Sequence, residues 1–219
     1  MTLQNLSKIL DNYESKLGST SIQQFQLLHN LSFYNFDDQL DIRTFNRVIG
    51  LHEKNGQPMP LFDYEQLLFN ELQSQKHLWI KKATGLGVTE FMLRFMVWLC
   101  FSNKLENGQM CIVTGPRIEL ATLIDRMKGL FRDKIYHKFG TSNIFYTKET
   151  VIELNGVHIE AYPSHHLDSM RGLTNVSFIY LDEADFFPPG QQQDARDVSE
   201  RYIGKSNPWI VMVSTPNAP

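Results

Sequence analysis

The sequence predicts an α/β fold, a mostly parallel sheet flanked by helices, with a small helical appendage at the N-terminus. Two observations carry this. From about residue 63 onward, strand-length apolar runs alternate with stretches whose apolar residues recur three and four positions apart, the rhythm of strand–helix–strand units with right-handed crossovers. Two of the runs, 176–181 and 209–213, are nearly all apolar, as central strands covered on both faces must be.

Residues 1–50 lack this rhythm and alternate helical patches, 3–17 and 21–31, with polar breaks. They are assigned to a helical appendage over 1–55. The breaker cluster Asn55-Gly56-Gln57-Pro58-Met59-Pro60 marks its boundary with a domain over 56–219. Asp63 is the expected N-cap of a helix over 63–75, with Leu67, Leu68 and Leu72 on one face. A short strand at 77–81, a glycine-containing loop and an apolar helix over 88–103 follow. Next come a strand at 110–114 and a helix over 117–131, in which Leu120, Leu123, Ile124 and Met127 share a face. Asn155-Gly156, flanked by 150–154 and 157–161, predicts a tight β-hairpin. There are no internal repeats or low-complexity tracts.

With 219 residues, 42% hydrophobic and 21% charged, the chain can bury the core of an ordinary domain. No apolar run approaches the roughly 20 residues that cross a bilayer, and the N-terminus lacks a basic-then-apolar pattern, so an intracellular protein with no membrane association is expected. The net charge of −3 gives no whole-molecule attraction for nucleic acid. Contact with DNA would need a local basic patch or several copies around the duplex. Cys100 and Cys111 lie in apolar surroundings without Cys-x-x-Cys or ligand-spaced histidines, and read as buried thiols. His165-His166 followed by Asp168 reads as a polar loop, because adjacent side chains seldom converge on one metal ion without further ligands.

In open α/β sheets ligands bind at the carboxyl ends of strands, and three motifs fall there. The first is Lys81-Lys82-Ala83-Thr84-Gly85-Leu86-Gly87-Val88-Thr89-Glu90, a strand-to-helix corner. It resembles the phosphate-binding loop G-x-x-x-x-G-K-[ST], with Gly87 at the second glycine and Thr89 at the Mg²⁺-coordinating hydroxyl. Val88 stands where the lysine belongs. Lys82 occupies the position of the first glycine, from which a long ammonium can reach back over the loop to the β- and γ-phosphates. Loop amides over 83–89 and the helix dipole add to the attraction. Taken alone, the corner is equally a bland strand–turn–helix.

The second motif, Phe178-Ile179-Tyr180-Leu181-Asp182-Glu183, is an apolar strand ending in two acids, the form of a Walker B element. Asp182 is assigned to Mg²⁺ and Glu183 to activating the attacking water. The third, Val211-Met212-Val213-Ser214-Thr215-Pro216-Asn217, is a strand ending in hydroxyl residues and a proline; in nucleic-acid motors such a tip senses the γ-phosphate.

Together these residues resemble the N-terminal ATPase domain of the large terminase subunit, the viral motor that packages DNA into a procapsid. Some terminases place the lysine early, as K-x-x-x-x-G-x-[ST], and Lys82, Gly87 and Thr89 match that variant. The resemblance covers residues 58–219 and implies a P-loop NTPase fold of the ASCE, RecA-like class, with ATP and Mg²⁺ as cofactors. Ser169-Met170-Arg171-Gly172 is similar to the family's Arg-Gly segment, which makes Arg171 an arginine finger for a neighbouring subunit's nucleotide; on its own it is a surface arginine in a loop. Phe62, Tyr64 and Gln66 correspond to the adenine-contacting segment, and Ser214, Thr215 and Pro216 to the coupling motif. Many terminases carry an arginine in the loop where Thr84 or Gly85 stands, so that charge is missing here. Nothing in the 219 residues supplies the family's RNase H-like nuclease.

The reading is an ATP hydrolase of the terminase type, with Lys82, Glu183 and Arg171 catalytic, Thr89 and Asp182 on the metal, and Ser214 to Pro216 coupling hydrolysis to translocation. The implied partners are double-stranded DNA, further copies in a ring on a portal, and a small terminase subunit. The implied location is the cytoplasm of an infected host cell, transiently at the procapsid portal. A helicase-like DNA-dependent ATPase, which would unwind a forked duplex, and a P-loop module that has lost catalysis, with Val88 as the scar, remain the alternatives.

Overall fold

The computed structural model describes residues 60–100, 105, 108–115, 120–130, 145–154 and 156–216. The appendage expected over 1–55 lies outside them, as do residues 101–103 of the helix expected over 88–103 and residues 117–119 and 131 of that expected over 117–131. The described helices are α1 (Asp63–Ser74), α2 (Val88–Cys100), α3 (Leu120–Gly129) and α4 (Gln191–Glu200). The strands are β1 (His77–Lys81), β2 (Gln109–Thr114), β3 (Phe145–Thr147), β4 (Val151–Leu154), β5 (Val157–Pro163), β6 (Val176–Asp182) and β7 (Trp209–Ser214).

All seven strands form one sheet in the order β1-β7-β6-β2-β5-β4-β3. The first five run parallel, and β4 and β3 add antiparallel at one edge. Gly156, at φ +78°, makes the β4–β5 turn that Asn155-Gly156 predicts. The register decides where chemistry can occur. Lys81 pairs with Ser214, Val213 with Asp182, and Asp182 with Thr114, so the carboxyl ends of β1, β7, β6 and β2 finish level with one another.

Strand alternation divides the core into two layers. Ile112, Phe178, Tyr180 and Val211 face α1, α2 and α3, meeting Phe69, Leu72, Leu123, Met127 and the almost wholly buried α2. Cys111, Val113, Ile179, Leu181 and Met212 face the other side, against Ala195 and Val198 of α4, Tyr202, and a 3₁₀ turn at Leu167–Gly172. Both cysteines are buried, and burial pushes both thiols well above their ordinary pKa. No described helix is long and apolar enough to cross a membrane.

Several expectations need correcting. The N-cap of α1 is Phe62, and Asp63 is the first helical residue; the Glu65 carboxylate accepts the Phe62 backbone N–H at 3.0 Å, the work a cap side chain would otherwise do from the other direction. Leu67 is 59% exposed, because the buried stripe runs through Glu65, Phe69 and Leu72. Glu65 can lie inward because Arg94 of α2 donates to it at 2.9 Å, with both side chains nearly dry. Two elements had no prediction. The sequence of α4, Gln-Gln-Gln-Asp-Ala-Arg-Asp-Val-Ser-Glu, has only two apolar residues and therefore almost no periodic signal, and β3 is three residues long and is held by pairing with β4.

Candidate functional site

The level strand tips bring together residues that are far apart in the chain. After β1 the backbone N–H of Lys82 donates to the carbonyl of Ser214 at 3.0 Å, extending the β1–β7 ladder by one residue. The Lys82 side chain then crosses the tip of β7: its ammonium lies 3.1 Å from the Thr215 hydroxyl and 2.5 Å from Oε1 of Glu183. Only 8% of the lysine side chain and 25% of the glutamate are exposed, so water screens this ion pair poorly. Lys82, Thr215 and Glu183 thus form one contact across three neighbouring strands.

Glu183 sits directly after β6 in the left-handed region, φ 52° and ψ 46°, a conformation that costs a non-glycine residue about 1–3 kcal/mol. What it gains is direction: Oε2 accepts the backbone N–H of Thr215 at 3.1 Å while Oε1 takes Lys82. Beyond it, a 3₁₀ turn at Ala184–Phe186 is tied to the same strand tip, since the Asp185 N–H donates to the Ser214 hydroxyl at 3.0 Å.

Asp182 points to the α2 side of the sheet. Its Oδ1 accepts from the Thr89 hydroxyl at 3.0 Å and from the Tyr180 hydroxyl at 2.6 Å, and its Oδ2 is buried with no hydrogen-bond partner. Burial lifts the Asp182 carboxyl above its ordinary pKa, and the hydrogen bonds from Tyr180 and Thr89 offset only part of that rise. Burial and the neighbouring carboxylate push the Tyr180 phenol far up, so it stays a donor. A buried carboxylate oxygen without a donor, beside a threonine hydroxyl, is a hard-oxygen environment that fits Mg²⁺.

The loop between β1 and α2 is exposed from Ala83 through Gly87. Gly85 and Gly87 have φ of +84° and +71°, and a Cβ on either would meet nothing within 4 Å, so these glycines serve backbone conformation rather than close packing. The Gly87 carbonyl accepts from Phe91 N–H at 3.0 Å and opens α2, whose first-turn amides have no intrahelical acceptor and face the loop end. Val88 is 2% exposed and belongs to the core, which explains why a lysine does not stand there. Above the loop, the Phe62 and Tyr64 rings stack at 5.4 Å and 10°, Phe62 is half exposed, and the Tyr64 hydroxyl donates to the Leu86 carbonyl. The Gln66 amide, one turn into α1, donates to Asn70.

Arg171 stands apart from this cluster, in the Leu167–Gly172 turn against α4, paired with Asp168 at 3.1 Å on an exposed surface. His165 and His166 are exposed beside that turn, and Pro216 follows Thr215 directly. Three partners escaped sequence reasoning. Tyr180 carries a hydroxyl inside an apolar strand, and its i,i+2 relation to Asp182 was the available signal. Glu65 with Arg94, and Glu90 with Arg126 at 2.7 Å, join helices far apart in sequence and gave no such signal.

No protein-family model matches the chain, and no curated protein sequence matches it. Solved structures do. The large terminase of bacteriophage HK97 superposes with a TM-score of 0.59 at 15% identity, over 78% of this chain and 37% of that one. The large terminase ATPase domain of Thermus phage P74-26 gives 0.52 at 12%, over 73% and 66%. The large terminase of a thermophilic bacteriophage gives 0.51 at 12%, over 72% and 40%. The chain thus spans under half the length of two of these proteins and about two thirds of the third. At such identities the likeness is one of fold: a mostly parallel sheet flanked by helices, arranged as in the ATPase domains of phage large terminases.

Proposed function

We propose that this chain is the ATP-hydrolysing domain of a terminase-type motor that uses Mg²⁺ and couples hydrolysis to movement of double-stranded DNA. The observation that carries this reading is the Lys82–Thr215–Glu183 contact across three strand tips, beside the Thr89–Asp182 pair at the start of α2. A bland strand–turn–helix corner has no reason to bury a lysine against the residue that ends an apolar strand two positions away in the sheet.

In this mechanism the phosphates lie against the loop amides over residues 83–89 and the first turn of α2. Lys82 exchanges Glu183 for the β- and γ-phosphates. The exchange frees the Glu183 carboxylate to orient the attacking water and take its proton. Thr89 and Asp182 would hold Mg²⁺, which when bound neutralises charge on the phosphates. Phe62, Tyr64 and Gln66 offer stacking and an amide to adenine, with the Tyr64–Leu86 bond tying that segment to the loop. Arg171 would act on a neighbouring copy's nucleotide, which suits its exposure in the Leu167–Gly172 turn. Ser214, Thr215 and Pro216 would report the change: Thr215 loses its lysine contact, and Ser214 is bonded to the turn that follows Glu183. Work of this kind implies a homo-oligomeric ring at a portal, with a small terminase subunit, in the cytoplasm of an infected host cell.

Titration calorimetry with Mg²⁺ and a slowly hydrolysed ATP analogue tests the reading. Lys82→Ala is expected to bind at least tenfold more weakly than wild type, about 1.4 kcal/mol. An unchanged mutant would move the role to another cation, Lys81 first, and no binding to folded wild type would favour a module without nucleotide.

A further inference from the structure

Tyr180 and Asp182 are two residues apart on β6 and so share the face that meets α2. The Tyr180 side chain is fully buried there, between Phe178 and the acid at the strand tip. A phenylalanine would fill the same space without burying a hydroxyl, a cost that a partner has to offset. The partner is Asp182 Oδ1, at 2.6 Å. Thr89 donates to that same oxygen at 3.0 Å, and Oδ2 is left buried and unpartnered. The two donors differ in their other duties. The Thr89 hydroxyl sits at the mouth of the loop and has lone pairs to offer a cation, whereas the Tyr180 hydroxyl is buried in the core, donates to the carboxylate and has the Thr89 hydroxyl as its other polar neighbour.

We propose that Tyr180 is a positioning residue for the metal: by holding Oδ1 of Asp182, it fixes the carboxylate rotamer and keeps Oδ2 as the oxygen available to Mg²⁺. This rests on the Mg²⁺–nucleotide reading given above. Donors that orient a metal-binding carboxylate are part of the metal site although they never touch the ion. A hydroxyl that merely satisfied itself in the core would leave metal affinity unchanged when removed.

The test measures the affinity of the whole chain for a slowly hydrolysed ATP analogue, first in EDTA and then over a series of Mg²⁺ concentrations. Wild type, Tyr180→Phe and Phe178→Leu are compared, each checked for folding by thermal unfolding without ligand. Phe178 lies on the same strand and face but touches no polar group of the site, so its variant reports general loosening of β6. For Tyr180→Phe, the Mg²⁺ concentration giving half of the gain in affinity is expected to rise about ten- to hundredfold, with EDTA affinity changed less than about twofold. Phe178→Leu is expected to leave the Mg²⁺ midpoint in place even if its unfolding temperature falls. A Tyr180→Phe midpoint within about twofold of wild type, or an equal shift in Phe178→Leu, overturns the positioning role. If wild type binds the analogue equally with and without Mg²⁺, the proposal fails while the nucleotide site stands. If wild type binds no nucleotide at all, the functional reading itself has failed.

Discussion

Replacing Glu183 by glutamine separates two events that the resting contact holds together. In the structure Oε1 faces the Lys82 ammonium and Oε2 faces the Thr215 N–H. Glutamine has one acceptor oxygen, so it cannot serve both donors: with its carbonyl on Thr215 it presents NH₂ to an ammonium, and with its carbonyl on Lys82 it presents NH₂ to an N–H. A hydrogen bond to a charged group contributes about 1.5–3 kcal/mol, and glutamine turns the ion pair into an ion–dipole contact of about half that strength. The lysine therefore loses about 1–1.5 kcal/mol of its resting attachment, at a pair too buried for water to replace it fully. In the proposed mechanism Lys82 leaves Glu183 to reach phosphate, so that loss is expected to return as affinity. Glu183→Gln is expected to bind a slowly hydrolysed ATP analogue about five- to tenfold more tightly. Hydrolysis should fall about 10²- to 10⁴-fold as the proton acceptor is lost. Calorimetry and a phosphate-release assay read the two effects. A tenfold loss of affinity would mean that the ion pair organises the site rather than blocks it, and unchanged hydrolysis would remove Glu183 from the chemistry.

Two further predictions concern the surroundings. Arg171→Ala should bind the analogue as wild type does yet hydrolyse about 10³-fold more slowly, and mixing it with Lys82→Ala should restore part of the rate in phosphate release, since each mutant supplies what the other lacks across an interface. Glu65→Ala removes a carboxylate from the 4%-exposed Arg94 and is expected to cost about 3–5 kcal/mol in denaturant unfolding, whereas Glu65→Leu with Arg94→Leu together should cost less than that single change.

The parts of the fold legible in the sequence were those whose signal is local. Strands β6 and β7 are nearly all apolar because both faces are covered, α2 is apolar almost throughout, α3 carries apolar residues three and four apart, and Asn155-Gly156 marks its own turn. What escaped reading depends on partners distant in sequence. Leu67 was expected inward by spacing alone; the inward place belongs to Glu65, and an acid can hold it only because Arg94 arrives from another helix. Helix α4 is polar enough to read as loop until Tyr202 and the Leu167–Gly172 turn are packed beside it. At the site, motif order gave Lys82, Asp182 and Glu183 as candidates, but only the strand order, with β7 between β1 and β6, makes Thr215 a shared neighbour of lysine and glutamate.

That strand order also gives a physical reason for the displaced lysine to matter. A lysine just before Thr89 would rise from the first turn of α2, where the buried Val88 now packs into the core. Starting instead from the end of β1, Lys82 continues the ladder with β7, so its backbone is bonded to Ser214 and its side chain to Thr215. The cation proposed to meet the γ-phosphate is therefore already attached, by main chain and side chain, to the strand tip proposed to transmit the result. No intervening element has to carry the signal: movement of the Lys82 ammonium by the length of one hydrogen bond alters Thr215 and Glu183 together. An arrangement with the lysine on α2 would need the loop to convey the same change, so under the proposed coupling Val88 can open α2 as a core residue.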